Sequence, residues 1–259
     1  MVTIKTSEEI NVLREGGRIL AAIMGELVEL VKPGVSTATL EAHAVRRLKE
    51  LGAVSSFIGY QGRGPSPFLT ALCASINEEV VHAPALPGRL LKSGDIIGLD
   101  FGARYPSTEK GLYTDMAVTV PVGHVSADVT RLVTVTRQAL QHGLKVVRPG
   151  NYIHDISRAI EKFIDRYGFG IVRDFVGHGV GYAVHEEPQI YNYYERNQPR
   201  VLLKEGMCLA IEPMVTLGQP DVKVIDDEWT TVTRDGSWSA HFELTIIVTK
   251  SGYEILTRT

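Results

Sequence analysis

Leu90–Asp100 reads LLKSGDIIGLD, and Leu202–Glu212 reads LLKEGMCLAIE. The second copy starts 112 residues after the first, and the closing acids, Asp100 and Glu212, coincide. Two more matches keep the same order. VKPG at Val31 recurs as VRPG at Val147, an offset of 116, and each is followed by an amphipathic stretch ending in Gly, at Gly52 and Gly168. A strand carrying Asp115 corresponds to one carrying Glu243, an offset of 128. Self-similarity at a fixed spacing marks a repeated structural unit. Each half reads as helix, KPG or RPG, helix, then two strands with one acid apiece. The fold class expected is therefore α+β: residues 1–259 form one domain of two similar halves, about 7–122 and 126–257. A pseudo-two-fold would relate the halves, with an antiparallel sheet and helices on one side of it.

The individual elements follow from periodicity. Thr6 and Glu9 have capping-box spacing, and Ile10, Leu13, Leu20, Ile23, Met24, Leu27 and Val31 recur at helical intervals. A first helix is expected over Thr6–Val31, although Gly16 and Gly17 weaken it unless another element packs closely there. Further helices are expected over Thr37–Leu51, Ser126–Val147 and Tyr152–Tyr167. His43 lies off the apolar face of the second helix and reads as a solvated side chain. Strands are expected over Ile96–Ala103 and Leu112–Val120, joined as an antiparallel hairpin by RYPSTEKG. Later strands are expected over Ile171–Val176, Met207–Val215 and Ser237–Thr249, with short ones in 221–235.

Asp100, Asp115, Glu212 and Glu243 each sit in an apolar strand. A carboxylate buried without a partner is expensive, and neither strand of the first hairpin holds a Lys or Arg. The pseudo-symmetry would bring all four to the middle of the sheet. They cannot all ionise in one small site unless cations neutralise them. VGHGVGYAVHEEP, Val176–Pro188, adds His178 and His185. Alone, this stretch is equally compatible with a Gly turn around one buried histidine. Its glycine pattern is weak evidence for a phosphate loop, because no apolar strand of the usual length runs into it and no capped helix follows. Four acids with an imidazole exceed the needs of one ion, so two hard or borderline divalent ions (Co, Mn, Fe or Zn) are expected.

Taken together, NEEVVHAP, GDIIGLDFG, TDMAV, GHGVGYAVHEEP, LKEGMCLAIEPM and DEWTTVTRDGSWSAHFELTIIVT resemble the type I methionine aminopeptidases. The resemblance runs from about Ser7 to Leu256. It implies the pita-bread fold, a curved central antiparallel sheet with helices on its outer face. It also implies a hydrolase that removes the initiator methionine from new chains, preferring a small second residue, with a metal-bridging hydroxide as the attacking group. Asp100, Asp115, His178, Glu212 and Glu243 would be the metal ligands, with Asp115 and Glu243 bridging. His82, His185 and Glu212 would be catalytic, Glu212 by relaying the water's proton. Tyr60, Cys73 and Trp229, with His82 and His185, would line the substrate pocket. An Xaa-Pro peptidase of the same fold and a non-catalytic binding module are the alternatives; EPM at Glu212, Trp229 and the SAHFE strand favour the first reading.

Departures from that family's pattern are confined to the surroundings of these residues. The 61–72 loop and the 104–111 hairpin connection are expanded, Val184 stands for an aromatic residue and Phe57 for Cys. His241 replaces Gln two residues before Glu243, and Leu244 replaces the His that usually follows that acid.

The remaining features exclude other classes. The apolar content of 44% and net charge of -3 give no reason to expect a nucleic acid or an acidic membrane as partner. Two cysteines, Cys73 and Cys208, make no disulfide framework and point to a reducing compartment. With no signal pattern or membrane-length apolar run, a cytoplasmic protein is expected, and the resemblance implies a monomer. It would act on peptide or nascent-chain N-termini, with transient ribosome association.

Overall fold

The computed structural model describes residues 2–62 and 64–258. Helices α1 (Ser7–Leu30) and α2 (Thr37–Glu50) open the chain. Thr6 caps α1: its hydroxyl accepts from the Glu9 amide, and the Glu9 carboxylate accepts from the Thr6 amide. Gly16 and Gly17 sit inside α1 because other chain crosses it closely. A Cβ on Gly17 would lie 2.4 Å from the carbonyl oxygen of Leu256. Strands β1 (Val54–Ser55), β2 (Leu72–Ile76), β3 (Glu79–Val81), β4 (Ile96–Tyr105) and β5 (Leu112–Pro121) follow. Helices α3 (Ala127–Leu144) and α4 (Ile153–Ile164) come next, α4 tightening into a 3₁₀ turn that ends at left-handed Gly168.

The remaining strands are β6 (Gly170–Ile171), β7 (Gly177–Gly179), β8 (Glu186–Ile190), β9 (Cys208–Ile211) and β10 (Met214–Thr216). After them come β11 (Val222–Val224), β12 (Thr231–Thr233), β13 (Ser239–His241), β14 (Glu243–Val248) and β15 (Tyr253–Ile255). Nine strands form the main sheet, in the order β1-β4-β5-β14-β9-β7-β8, with β2 on β4 and β15 on β14. Two three-stranded sheets, β13-β10-β6 and β11-β12-β3, stand beside it. Every pairing is antiparallel.

The two-residue period of a strand sorts the side chains. Ile97, Leu99 and Phe101 of β4 are fully buried in a core shared with Leu20, Ile23, Met24 and Leu27 of α1 and with Leu40 and Ala44 of α2. Each such side chain contributes about 2 kcal/mol of apolar burial. The alternate residues of β4, Gly98, Asp100 and Gly102, face away from the helices. In the second half, Leu209, Ile211, Ile246 and Val248 pack with Val135, Ile156 and Ile160 of α3 and α4. The helices thus cover one face and leave the other for the acids.

Several expected elements come out differently. The strand expected over Met207–Val215 breaks between β9 and β10, and the one over Ser237–Thr249 breaks between β13 and β14. Pro213 has no N–H for a ladder. The Phe242 amide donates to the Pro213 carbonyl at 3.3 Å, so the two breaks face one another. Here both chains leave one sheet for another: β9 pairs with β14, while β10 pairs with β13. The strand expected over Ile171–Val176 shrinks to β6, and the Gly-rich stretch forms β7 and β8 instead. Its glycines are needed because a Cβ on Gly177 would lie 2.5 Å from the Ala210 carbonyl oxygen, and one on Gly179 2.3 Å from that of Glu187.

Candidate metal centre

Strand register gathers the acids. Asp100 pairs with Ala117, Gly102 with Asp115, and Ala117 in turn with Glu243. Asp100, Asp115 and Glu243 therefore surround Ala117 on three neighbouring strands and share its face. Leu244 pairs with Ile211, which carries Glu243 toward Glu212 just beyond the end of β9. His178 pairs with Ala210, two residues before Glu212. All five side chains are buried. Asp115, His178 and Glu243 offer ligand atoms within 4.8 Å of one another, and Glu212, His241 and Glu243 form a second such group. Asp100 belongs to neither group but lines the same cavity.

Tautomer logic fixes what His178 presents. Its Nδ1 lies 2.9 Å from the carbonyl oxygen of Gly179, which can only accept, so Nδ1 carries the proton. Nε2 then directs a lone pair toward Glu212 Oε1 at 3.4 Å and Glu243 Oε1 at 3.9 Å. A lone pair facing carboxylates is stable only with a cation or a proton between them. Glu243 Oε1 and Asp100 Oδ1 are buried with no hydrogen-bond partner. Among the described residues, the ion-pair partners of these acids are histidines only. Burial pushes the Asp100 carboxyl up to about 7; the charge of Glu212 adds to the rise and His241 opposes it. Asp115, Glu212 and Glu243 are raised well above the carboxylate range, in each case chiefly by burial. Burial, then the nearby His185, lowers His178 to about 3, keeping it neutral and able to ligate. The donor set fits one or more divalent cations.

A cavity of about 500 Å³ opens onto this face. Tyr60, Cys73, His82, His185 and Trp229 all line it, and Phe57 joins them. Tyr60 Oη and His185 Nδ1 are 2.8 Å apart, and the rings of His185 and His178 lie 4.5 Å apart. His82 holds left-handed backbone, φ 60, and sets its ring against Phe175. Such a conformation is unfavourable by roughly 1 kcal/mol in a non-glycine residue and persists where the surroundings enforce it. Gly62 and Phe68 of the 61–72 loop line the cavity: Phe68 meets Trp229 edge-on at 5.1 Å, and a Cβ on Gly62 would touch Trp229 at 2.6 Å. Arg63 in that loop lies outside the described residues.

Some features escaped the sequence reading. His241 stands beside Glu212, with Nε2 3.4 Å from Oε2; its spacing of two from Glu243 was the available signal. His43 is not simply solvated: its Nε2 lies 2.7 Å from Glu26 Oε2, next to the Arg47–Glu26 pair. Glu186 holds the turn that carries His185. Its carboxylate accepts from the amides of Tyr182 and Ala183 and pairs at 2.9 Å with Lys5, whose side chain is wholly buried. Removing one partner of a buried pair typically costs about 3–5 kcal/mol. Lys5→Met is therefore expected to lower unfolding free energy by about 3 kcal/mol in urea titrations at neutral pH. Lys5→Met combined with Glu186→Gln should recover most of it. A loss below about 1 kcal/mol in the single variant would refute the clamp.

An antiparallel sheet cupping buried acids and a neutral histidine, with helices behind, defines a class of hydrolase. The chain belongs to metallopeptidase family M24, which it matches over residues 11–250. Within that family it is 46% identical to Methionine aminopeptidase 1 of Bacillus subtilis, covering 100% of both chains. It is 38% identical to the methionine aminopeptidase of Escherichia coli, covering 99% of this chain and 94% of that one. Among solved structures, a methionine aminopeptidase from Thermotoga maritima superposes with a TM-score of 0.93 at 41% identity, covering 100% of both chains. An Xaa-Pro dipeptidase from Bacillus anthracis gives 0.75 at 23% identity, covering 99% of this chain and 62% of that one. The latter likeness is one of fold, the pita-bread fold expected from the sequence.

Proposed function

We propose that this protein is a metal-dependent aminopeptidase that removes the N-terminal methionine from peptides and newly made proteins. The observation that carries the reading is the lone pair of His178 Nε2 aimed at two buried carboxylates. Full-length likeness to proteins named methionine aminopeptidases sets the substrate class. Asp100, Asp115, His178, Glu212 and Glu243 would hold two divalent ions. An oxygen-rich set with imidazole suits Mn, Fe, Co or Zn. Bound, such ions acidify a water toward pH 7 and polarise the scissile carbonyl.

The chain's own groups supply the rest. Tyr60, Cys73 and Trp229 form the pocket for the methionine side chain. When Tyr60 Oη donates to Nδ1 of neutral His185, the proton of that ring resides on Nε2. His185 thereby becomes a donor to the substrate, and His82 would stabilise the oxyanion. Glu212 would relay the water's proton to the departing amine. The second residue must enter close to the acids, which favours a small one. The setting assigned is the cytoplasm, on exposed chain ends, with transient contact to the ribosome.

The test is hydrolysis of Met-Ala-Ser and Leu-Pro-Ala by metal-stripped protein, with Mn, Fe, Co and Zn restored singly. Metal-dependent release of Met from the first peptide alone is expected. Cleavage of only the proline peptide would move the assignment to Xaa-Pro peptidase. Metal binding without either cleavage would leave a binding module.

A further inference from the structure

Two imidazoles flank Glu212. His178 Nε2 lies 3.4 Å from Oε1, and His241 Nε2 lies 3.4 Å from Oε2. His241 is 3% exposed, and its Nε2 has no hydrogen-bond partner. The backbone holding it is pinned at both polar atoms: Thr119 Oγ1 accepts from the His241 amide at 2.8 Å and donates to its carbonyl at 2.9 Å. Its ligand atom falls within 4.8 Å of those of both Glu212 and Glu243. The second group of three thus mirrors the first: one imidazole with carboxylates, Glu243 common to both. A glutamine at this position would offer only an amide, a weak partner for a divalent cation. A neutral imidazole nitrogen is a strong one.

We propose that His241 is an additional metal ligand, binding through Nε2 the cation that it shares with Glu212 and Glu243. This rests on the metal centre proposed above. An imidazole in an otherwise oxygen-rich site shifts preference toward borderline ions such as Zn and Co, away from harder ones such as Mn.

The intact protein supplies the test. Histidines labelled with ¹⁵N are followed while zinc is added to the metal-free protein, and His241→Gln identifies the His241 resonance. Two imidazoles are expected to reach the metal-bound range, one of which disappears in His241→Gln. X-ray absorption of the protein with two zincs should count about one imidazole per metal, and about half that in the variant. Zinc affinity measured by chelator competition should fall about 10–100-fold in the variant, and Mn affinity less. A single bound imidazole that persists in His241→Gln overturns the proposal while leaving the centre intact. The absence of any bound imidazole overturns the proposal together with the centre. Should His241→Gln fail to fold, the count of bound imidazoles in the unmodified protein decides: two support the proposal and one overturns it.

Discussion

Glu243→Gln is expected to reduce kcat/KM for Met-Ala-Ser about a thousand-fold or more in saturating Mn, a loss of roughly 4 kcal/mol of transition-state stabilisation. Glu243 is the one side chain common to both groups of candidate ligands. Glutamine keeps its size but replaces one oxygen with a donor amide, a poor ligand for a divalent cation. The same substitution should leave the metal-free protein at least as stable as before. The Glu243 carboxyl is 3% exposed, its Oε1 is unpartnered, and burial with Asp115 nearby holds it well above its ordinary range. A neutral side chain relieves that repulsion. Activity and metal-free stability should thus move in opposite directions, which a residue of purely structural importance would not do. Retention of more than about a tenth of the activity would remove Glu243 from the centre.

That centre was legible in the sequence wherever the chemistry was expensive. A carboxylate in an apolar strand has few explanations, so Asp100, Asp115, Glu212 and Glu243 stood out without any geometry. Helices were legible through caps and periodicity; Thr6 and Glu9 form the expected box, and α2 and α4 open at Thr37 and Ile153 after KPG and RPG. The strand β7 was not legible, because close approach to Ala210 and Glu187 demands glycines, and glycine erases strand propensity. Nor were the breaks at Pro213 and Phe242, which depend on two distant chains leaving their sheets at the same place. His241 was visible only as a departure from a pattern. Its meaning needed the register that sets β13 beside Glu212.

Removing the metal should destabilise the protein, and increasingly so as pH rises above about 6.5. An ion present at a thousand times its dissociation constant contributes about 4 kcal/mol. At about 2–4 °C per kcal/mol for a chain of this size, chelation should lower Tm by roughly 10 °C. The pH dependence follows from which state holds more protons. Asp100 is raised to about 7, and Asp115, Glu212 and Glu243 stand well above their ordinary values. Without metal, the folded protein therefore binds more protons at these acids than the unfolded chain does, and stability falls as pH rises from about 4 through 7 and beyond. Buried His82 and His178, each lowered to about 3, act in the opposite sense. They favour the folded state as pH rises toward about 6.5, the ordinary histidine value, and contribute no slope above it. The two effects oppose one another between about pH 4 and 6.5; above that the acids remain, joined near pH 8.5 by the buried Cys73 and Cys208 thiols, which burial raises and which act in the same sense. Thermal melts of chelated protein should lose stability from pH 6.5 to 8.5. The Mn-loaded protein, with its carboxylates neutralised by cations rather than protons, should not. A chelated protein that gains stability over this interval would mean that the four carboxylates are not held together without metal.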